Sequence, residues 1–269
     1  MCAENNGSRT IISHANGIAD VSTAELCELF ISENRTGSCS NPYPEEDPWP
    51  EWIHVEGRNC EAVARFLREA RQAGFKGVVS LDCERPRDGL ENLIAEADIL
   101  FISETYAAAV TANDTLTPTL NDHSALLRAM LCAIGPSTRA DASGYLMLGS
   151  SGCYAFAREQ SDQGSQGDVI QRLQQTSKAG MMDVCVKSGV QFVCAKVEAL
   201  SLANQEVVET VGAGDTFIAG IIWASLQTTS DWLRKARLAV ILAGVKCTRK
   251  GFKGIWADAR FMDAYQELW

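Results

Sequence analysis

The feature that most limits the fold of this chain is an alternation. Short apolar runs of strand length are separated by stretches whose apolar residues recur at helical spacing. RTIISH (9–14), WIHVEG (52–57), GVVSLDC (77–83), DILFIS (98–103), YLMLGS (145–150) and QFVCAKV (191–197) read as strands. Between them, Ala62, Val63, Phe66, Leu67 and Ala70 mark the apolar face of a helix that Gly74 ends. Leu120 to Ile134 reads as a second helix. Such alternation predicts an α/β fold: a mainly parallel sheet with helices on both faces. Two segments break the rhythm. Residues 32–51 hold four prolines and read as a surface loop, and the polar stretch 158–168 reads as a mobile insertion. With no repeat and no linker, residues 1–269 are expected to form a single domain.

Composition removes several classes of function. A net charge of -10 disfavours nucleic acid as a partner, because phosphate backbones call for clustered Lys and Arg. The longest apolar runs, such as LAVILAGV (238–245), are too short to span a bilayer, so no membrane partner is expected. The opening residues MCAENNGSRT lack the apolar core of a secretory signal, which points to the cytoplasm. Ten cysteines without a CxxC pair read as reduced thiols, and His14, His54 and His123 are scattered, so no zinc site is indicated. The sequence names no metal ligands.

The segment with the most chemistry is VVETVGAGDTFIAGIIWASL, residues 207–226. Val207 and Val208 read as the end of a strand, and Thr216 to Leu226 as a buried helix. Gly212, Ala213 and Gly214 then fall at the helix N-terminus. There the first N–H groups have no intrahelical partner, the dipole adds partial positive charge, and glycine lets an anion approach the backbone. Asp215 stands at the mouth of that hole, placed to accept a proton from an attacking hydroxyl. The same residues also suit a plain strand-to-helix turn with Asp215 as N-cap. No GxxxxGK[ST] or GxGxxG accompanies the turn, which sets aside a P-loop and a dinucleotide fold.

The longer string ETVGAGDTFIAG resembles the C-terminal signature of the ribokinase-like PfkB carbohydrate kinases. GSRTII (7–12), WIHVEGRN (52–59), SLDCERPRDGL (80–90) and AGVKCTRKGFKGI (243–255) follow in an order similar to the ketohexokinase-like members. The resemblance implies a three-layer ribokinase-like sandwich and transfer of the γ-phosphoryl group of ATP to a sugar hydroxyl, with Mg2+. It makes Asp215 the catalytic base and Gly212, Ala213 and Gly214 the anion hole. Arg9 would lie near the nucleotide phosphates. Gly149, Ser150, Ser151 and Gly152 would form the turn bordering ATP, with a plain hairpin turn as the competing reading. Gly244 and Cys247 would lie beside the adenine, or serve helix packing alone. Glu56 and Arg58 would stand in the active cleft, or form a structural ion pair. ATP and a small sugar are the implied partners, with room for a homodimer.

The chain departs from the family pattern in several places. Glu209 stands where the signature begins with Asp, in a segment that helps form a monovalent cation site in relatives, which puts K+ activation in doubt. The N-x-x-E motif used around Mg2+ is replaced by ISETY (102–106), and residues 156–190 exceed the pattern and read as a loop over the nucleotide. Nothing before GSRT matches the family's opening strand, lid and G-G-x-x-x-N stretch, so the expected fold is N-terminally incomplete. Two other functions stay open: a nucleoside kinase, and a non-catalytic nucleotide-binding or scaffolding protein derived from a sugar kinase.

Overall fold

The computed structural model describes residues 2–3, 9–10, 20–32, 49–112, 122–158, 181–185, 190–227 and 231–268. Two short strands, β1 (Cys2–Ala3) and β2 (Arg9–Thr10), pair antiparallel apart from the main sheet. The main sheet has seven strands: β3 (Trp52–Glu56), β4 (Val78–Cys83), β5 (Ile99–Ser103), β6 (Ser143–Met147), β7 (Cys153–Arg158), β8 (Met181–Cys185) and β9 (Gln191–Val197). Their order across it is β3-β4-β5-β6-β7-β9-β8.

The expected parallel sheet is present from β3 to β6, whose neighbours all run parallel. The remaining pairs are antiparallel, and residues 148–152 turn β6 directly back into β7. The strand expected at 145–150 therefore begins and ends earlier. It opens at Ser143, and its second residue is Gly144, where an added side chain would strike Phe156 and the Leu100 carbonyl, at 2.5 and 2.6 Å.

The helices are α1 (Thr23–Cys27, continued by a π-helical turn to Ser32), α2 (Cys60–Gln72), α3 (Leu90–Ile94), α4 (Glu104–Thr111), α5 (His123–Ile134), α6 (Ala213–Leu226), α7 (Trp232–Cys247) and α8 (Ala259–Leu268). Strand periodicity assigns the two faces. Leu81, Leu100, Ile102 and Leu146 join α2 to α5 in one core, while Phe101, Tyr145, Val193 and Ala195 join α6 and α7 in another. Each fully buried Leu or Ile contributes about 1.5–3 kcal/mol. The α8 residue Phe261 packs with Leu238, Leu242 and Val245 of α7 in a third cluster.

Asp98 ties the first core together. It accepts the Val79 N–H at 2.7 Å and pairs with Arg71 of α2 at 2.6 Å and with Arg139 at 2.9 Å. Helix α2 ends as expected, with Gly74 at φ +107. The apolar helix expected from Leu120 begins at His123, capped by Asp122, which accepts the Ser124 and Ala125 N–H groups.

Most of the loop 32–51 and residues 159–180 and 186–189 lie outside the described residues. Within residues 156–190, expected to be a loop, Met181–Cys185 is instead a strand of the sheet, paired with β9. Among the described residues Cys27, Cys60, Cys83, Cys132, Cys153, Cys194 and Cys247 are free thiols, and no helix is long and apolar enough to cross a membrane.

Candidate active site

The parallel strands β3 and β4 end side by side, with Glu56 opposite Asp82. The ladder continues one bond further, from the Gly57 N–H to the Asp82 carbonyl at 3.0 Å. The chain then turns sharply into α2. Asn59 makes this corner at φ +47, the one left-handed non-glycine among the described residues, and donates from Nδ2 to the Val21 carbonyl. Asparagine tolerates that conformation better than most residues, which accounts for the last letter of EGRN. Gly57 and Asn59 thereby present Glu56 and Arg58 at the carboxyl edge of the sheet, where open α/β sheets bind ligands.

On the other side of this edge lies the start of α6. The expected strand at Val207–Val208 does not form. These residues are 42% and 61% exposed, and the Val208 and Glu209 N–H groups donate to the Cys247 carbonyl at the end of α7, at 2.8 and 3.1 Å. The segment is thus bound to a helix terminus rather than to a sheet.

The N-cap of α6 is Gly212, at φ +80, and not Asp215. Its carbonyl accepts the Thr216 N–H at 2.9 Å and the Thr216 hydroxyl at 2.7 Å. Asp215 is the third helical residue, makes no capping bond and is exposed, so the N-cap reading of this acid is removed. The Ala213 N–H is given to the Thr210 carbonyl at 3.1 Å. The N–H groups of Gly214 and Asp215 precede the first intrahelical bond and have no carbonyl within the helix to reach. Gly214 faces open space, with nothing within 4 Å of an added Cβ.

Asp215 opens on a cleft of about 170 Å³ lined by Glu56, Gly57, Arg58, Asp82, Glu84, Arg87 and Asp215 itself. Three expected residues meet here: Asp215, Glu56 and Arg58. Arg58 Nε lies 2.7 Å from Glu56 Oε2, but both side chains are about two-thirds exposed, at 65% and 64%, so the pair contributes little to stability. Gly149–Ser151 forms a 3-10 turn between β6 and β7, the hairpin reading, and does not line this cleft. Gly244 of α7 meets Leu200, whose Cβ would lie 2.7 Å from an added Cβ, and the half-buried Cys247 offers its carbonyl to Val208 and Glu209. Gly244 is thus packed too closely against Leu200 to carry a side chain without a shift. Arg9 lies on β2, and its side chain is outside the described residues.

Asp82 was missed from sequence because a lone carboxylate in SLDCERPRDGL carries no pattern of its own. Burial pushes its carboxyl up from an ordinary 3.8 to about 6, and the charges of Glu84, Glu56 and Asp215 add to the effect. Its Oδ1 is buried with no hydrogen-bond partner. Nearby, burial also lowers the His54 pKa, which favours the neutral ring, while Glu56 and Asp215 oppose the shift. His54 Nδ1 and Trp52 Nε1 each lie 2.8 Å from the buried Ser80 hydroxyl.

The raised Asp82 carboxyl has a consequence for stability. The folded state holds this proton more tightly than the unfolded state, so Asp82 stabilises below about pH 4, and that contribution is lost as pH rises to about 6. Asp82→Asn is expected to raise the melting temperature at pH 7 by several degrees, a gain on the order of 1–2 kcal/mol after allowance for partial exposure. The gain should shrink toward pH 4. Melting curves of both proteins from pH 4 to 7 test this, and a difference independent of pH would show that Asp82 is ionised throughout.

Residues 154–257 match the family model described as pfkB family carbohydrate kinase. The chain is 24% identical to ketohexokinase of Mus musculus over 257 residues, covering 93% of this chain and 65% of that relative. Among solved structures, ribokinase from Giardia lamblia is similar with a TM-score of 0.52 at 15% identity, over 81% of this chain and 59% of that one. Adenosine kinase from Schistosoma mansoni, solved with 2-fluoroadenosine, gives 0.51 at 14% identity, over 76% and 52%. The fold is thus ribokinase-like, the C-terminal segment 154–257 is similar to the pfkB carbohydrate kinases, and the chain spans 65% of the length of the curated relative it matches.

Proposed function

We propose that this chain carries the phosphoryl-transfer centre of an ATP-dependent small-molecule kinase acting on a sugar hydroxyl, in the manner of the ketohexokinases. The observation that supports it best is the placement of Asp215. It stands on the first turn of α6 beside the free Gly214 N–H, and opens on the cleft that holds Glu56 and Arg58. Phosphoryl transfer has a loose transition state, so the protein's tasks are alignment and charge stabilisation. Asp215 receives the acceptor's proton, and the first-turn amides meet the charge on the transferring group. Arg58 and Arg87 add cations at the rim. No group of three His, Cys, Asp or Glu among the described residues forms a metal cage. Mg2+ would be carried in on the nucleotide phosphates, held by at most one or two carboxylates.

A nucleoside acceptor is the second reading, favoured by a fold match to adenosine kinase as good as that to ribokinase. ADP release measured over a panel of ketoses, aldoses and nucleosides separates the two. ATP binding without acceptor-dependent release for any of them would favour a non-catalytic nucleotide-binding protein.

Gly214 gives a specific test of the anion cradle. Gly214→Ala fits its helical backbone and meets nothing within 4 Å, so the melting temperature should hold or rise slightly. The added methyl would stand where a phosphate must approach, and ATP affinity should fall by about tenfold. Calorimetric titration measures this. Unchanged affinity in the folded variant would place the phosphate elsewhere.

A further inference from the structure

Lys246 is the one charged side chain in the buried class among the described residues, with 0% exposure. Its ammonium lies 2.6 Å from Glu209 Oε2 and 3.3 Å from the Glu209 carbonyl, and its third side faces the Phe252 ring, 5.4 Å from the centroid. Glu209 Oε2 also accepts the Gly251 N–H at 3.0 Å. The cluster adjoins the cradle. Glu209 precedes Gly212 by three residues, and the Phe252 ring lies 2.6 Å from where a Gly212 Cβ would stand.

Burying an ammonium costs several kcal/mol unless an anion and further acceptors meet it. Here a carboxylate, a carbonyl and an aromatic face do so. These are the oxygens a monovalent metal ion would need at Glu209, the position that the family resemblance associates with such an ion. Both are already held by a cation of the same charge. A second cation in contact with them would face Lys246 at close range in a partly desolvated place, where like charges repel strongly. The residues present therefore do not fit a free potassium ion at Glu209.

We propose that the Lys246 ammonium takes the place of that ion: a tethered cation that neutralises Glu209 and holds the segment leading into the Gly212 cradle, leaving nucleotide binding indifferent to potassium. The effect on nucleotide rests on the phosphoryl-transfer reading, whereas the charge replacement itself does not. Two readouts keep them apart. ATP affinity is measured by calorimetry, and melting temperature without nucleotide, for the full chain in potassium chloride and in tetramethylammonium chloride at equal ionic strength. The wild type should agree between the salts, within about twofold in affinity. Lys246→Ala empties the pocket beside Glu209. In tetramethylammonium it should melt several degrees lower and bind ATP about tenfold more weakly, and potassium or ammonium ions should restore most of both losses. Lys246→Arg keeps the charge and should stay indifferent to potassium.

A wild type whose melting or ATP affinity rises specifically with potassium would overturn the proposal, and so would a Lys246→Ala protein equally impaired in every salt. Should Lys246→Ala not fold, the wild-type and Lys246→Arg comparisons still decide. Should no form bind ATP, the phosphoryl-transfer reading fails, and the melting data judge the tethered cation alone.

Discussion

Asp215→Asn is expected to reduce acceptor-dependent ADP release by about 10²-fold or more, with ATP affinity changed less than about twofold. Asparagine keeps the shape and the hydrogen-bonding oxygen but cannot take the acceptor's proton. The position suits a clean experiment. Asp215 is exposed on the first turn of α6 and caps nothing, so its removal forfeits only a dipole contribution of about 0.3–1 kcal/mol. Steady-state kinetics on the folded variant, with calorimetric ATP binding, give the two numbers needed. Turnover near that of the parent would remove Asp215 from the chemistry and leave it a first-turn acid serving the helix.

Gly152→Ala should be the most damaging small change to stability. Its backbone, at φ +82 and ψ -129, lies in a region that only glycine occupies freely. The surroundings also exclude a side chain, since an added Cβ would lie 2.0 Å from the Val197 carbonyl oxygen and 2.7 Å from the Ala199 nitrogen. Both are backbone atoms, the first in the last residue of β9, which pairs with β7 and cannot move alone, and the second two residues beyond it. A loss of about 3–5 kcal/mol follows, or roughly 10 °C or more in melting temperature for a chain of this size. Gly149 supplies the control. It shares the turn and a positive φ of +55, yet nothing lies within 4 Å of its Cβ position, so Gly149→Ala should lose only about 1 kcal/mol. Equal losses at the two positions would show that backbone conformation, and not contact with β9, governs the turn.

The parts of the fold legible in the sequence are those in which burial dictates pattern. β4, β5 and β9 are covered on both faces, so their apolar runs mark them within a residue or two. Val207 and Val208 misled because β-branched residues favour strands only where a partner strand exists, and here the partner is the Cys247 carbonyl. In the cradle, two glycines look alike on paper but do different things. Gly212 makes the left-handed turn under Phe252, while Gly214 leaves space at the helix mouth. The position of Asp215 followed from the motif, whereas Asp82 joins it only through the register of β3 with β4, a long-range fact with no local signature. The partnership of Glu209 with Lys246 spans 37 residues and is invisible in the same way.

The change of strand direction midway across the sheet bears on how the chain assembles. β6 and β7 are joined by the short turn 148–152, so their pairing closes a small loop and loses little chain entropy. Each pairing from β3 to β6 instead waits for a crossover segment to fold over the sheet, the slower kind of contact. Amides of the hairpin should therefore gain protection from hydrogen exchange early in refolding, with the β3–β4 edge later. Glu56 and Asp82 are on that later edge, so the cleft beside Asp215 would be among the last parts of the molecule to take shape.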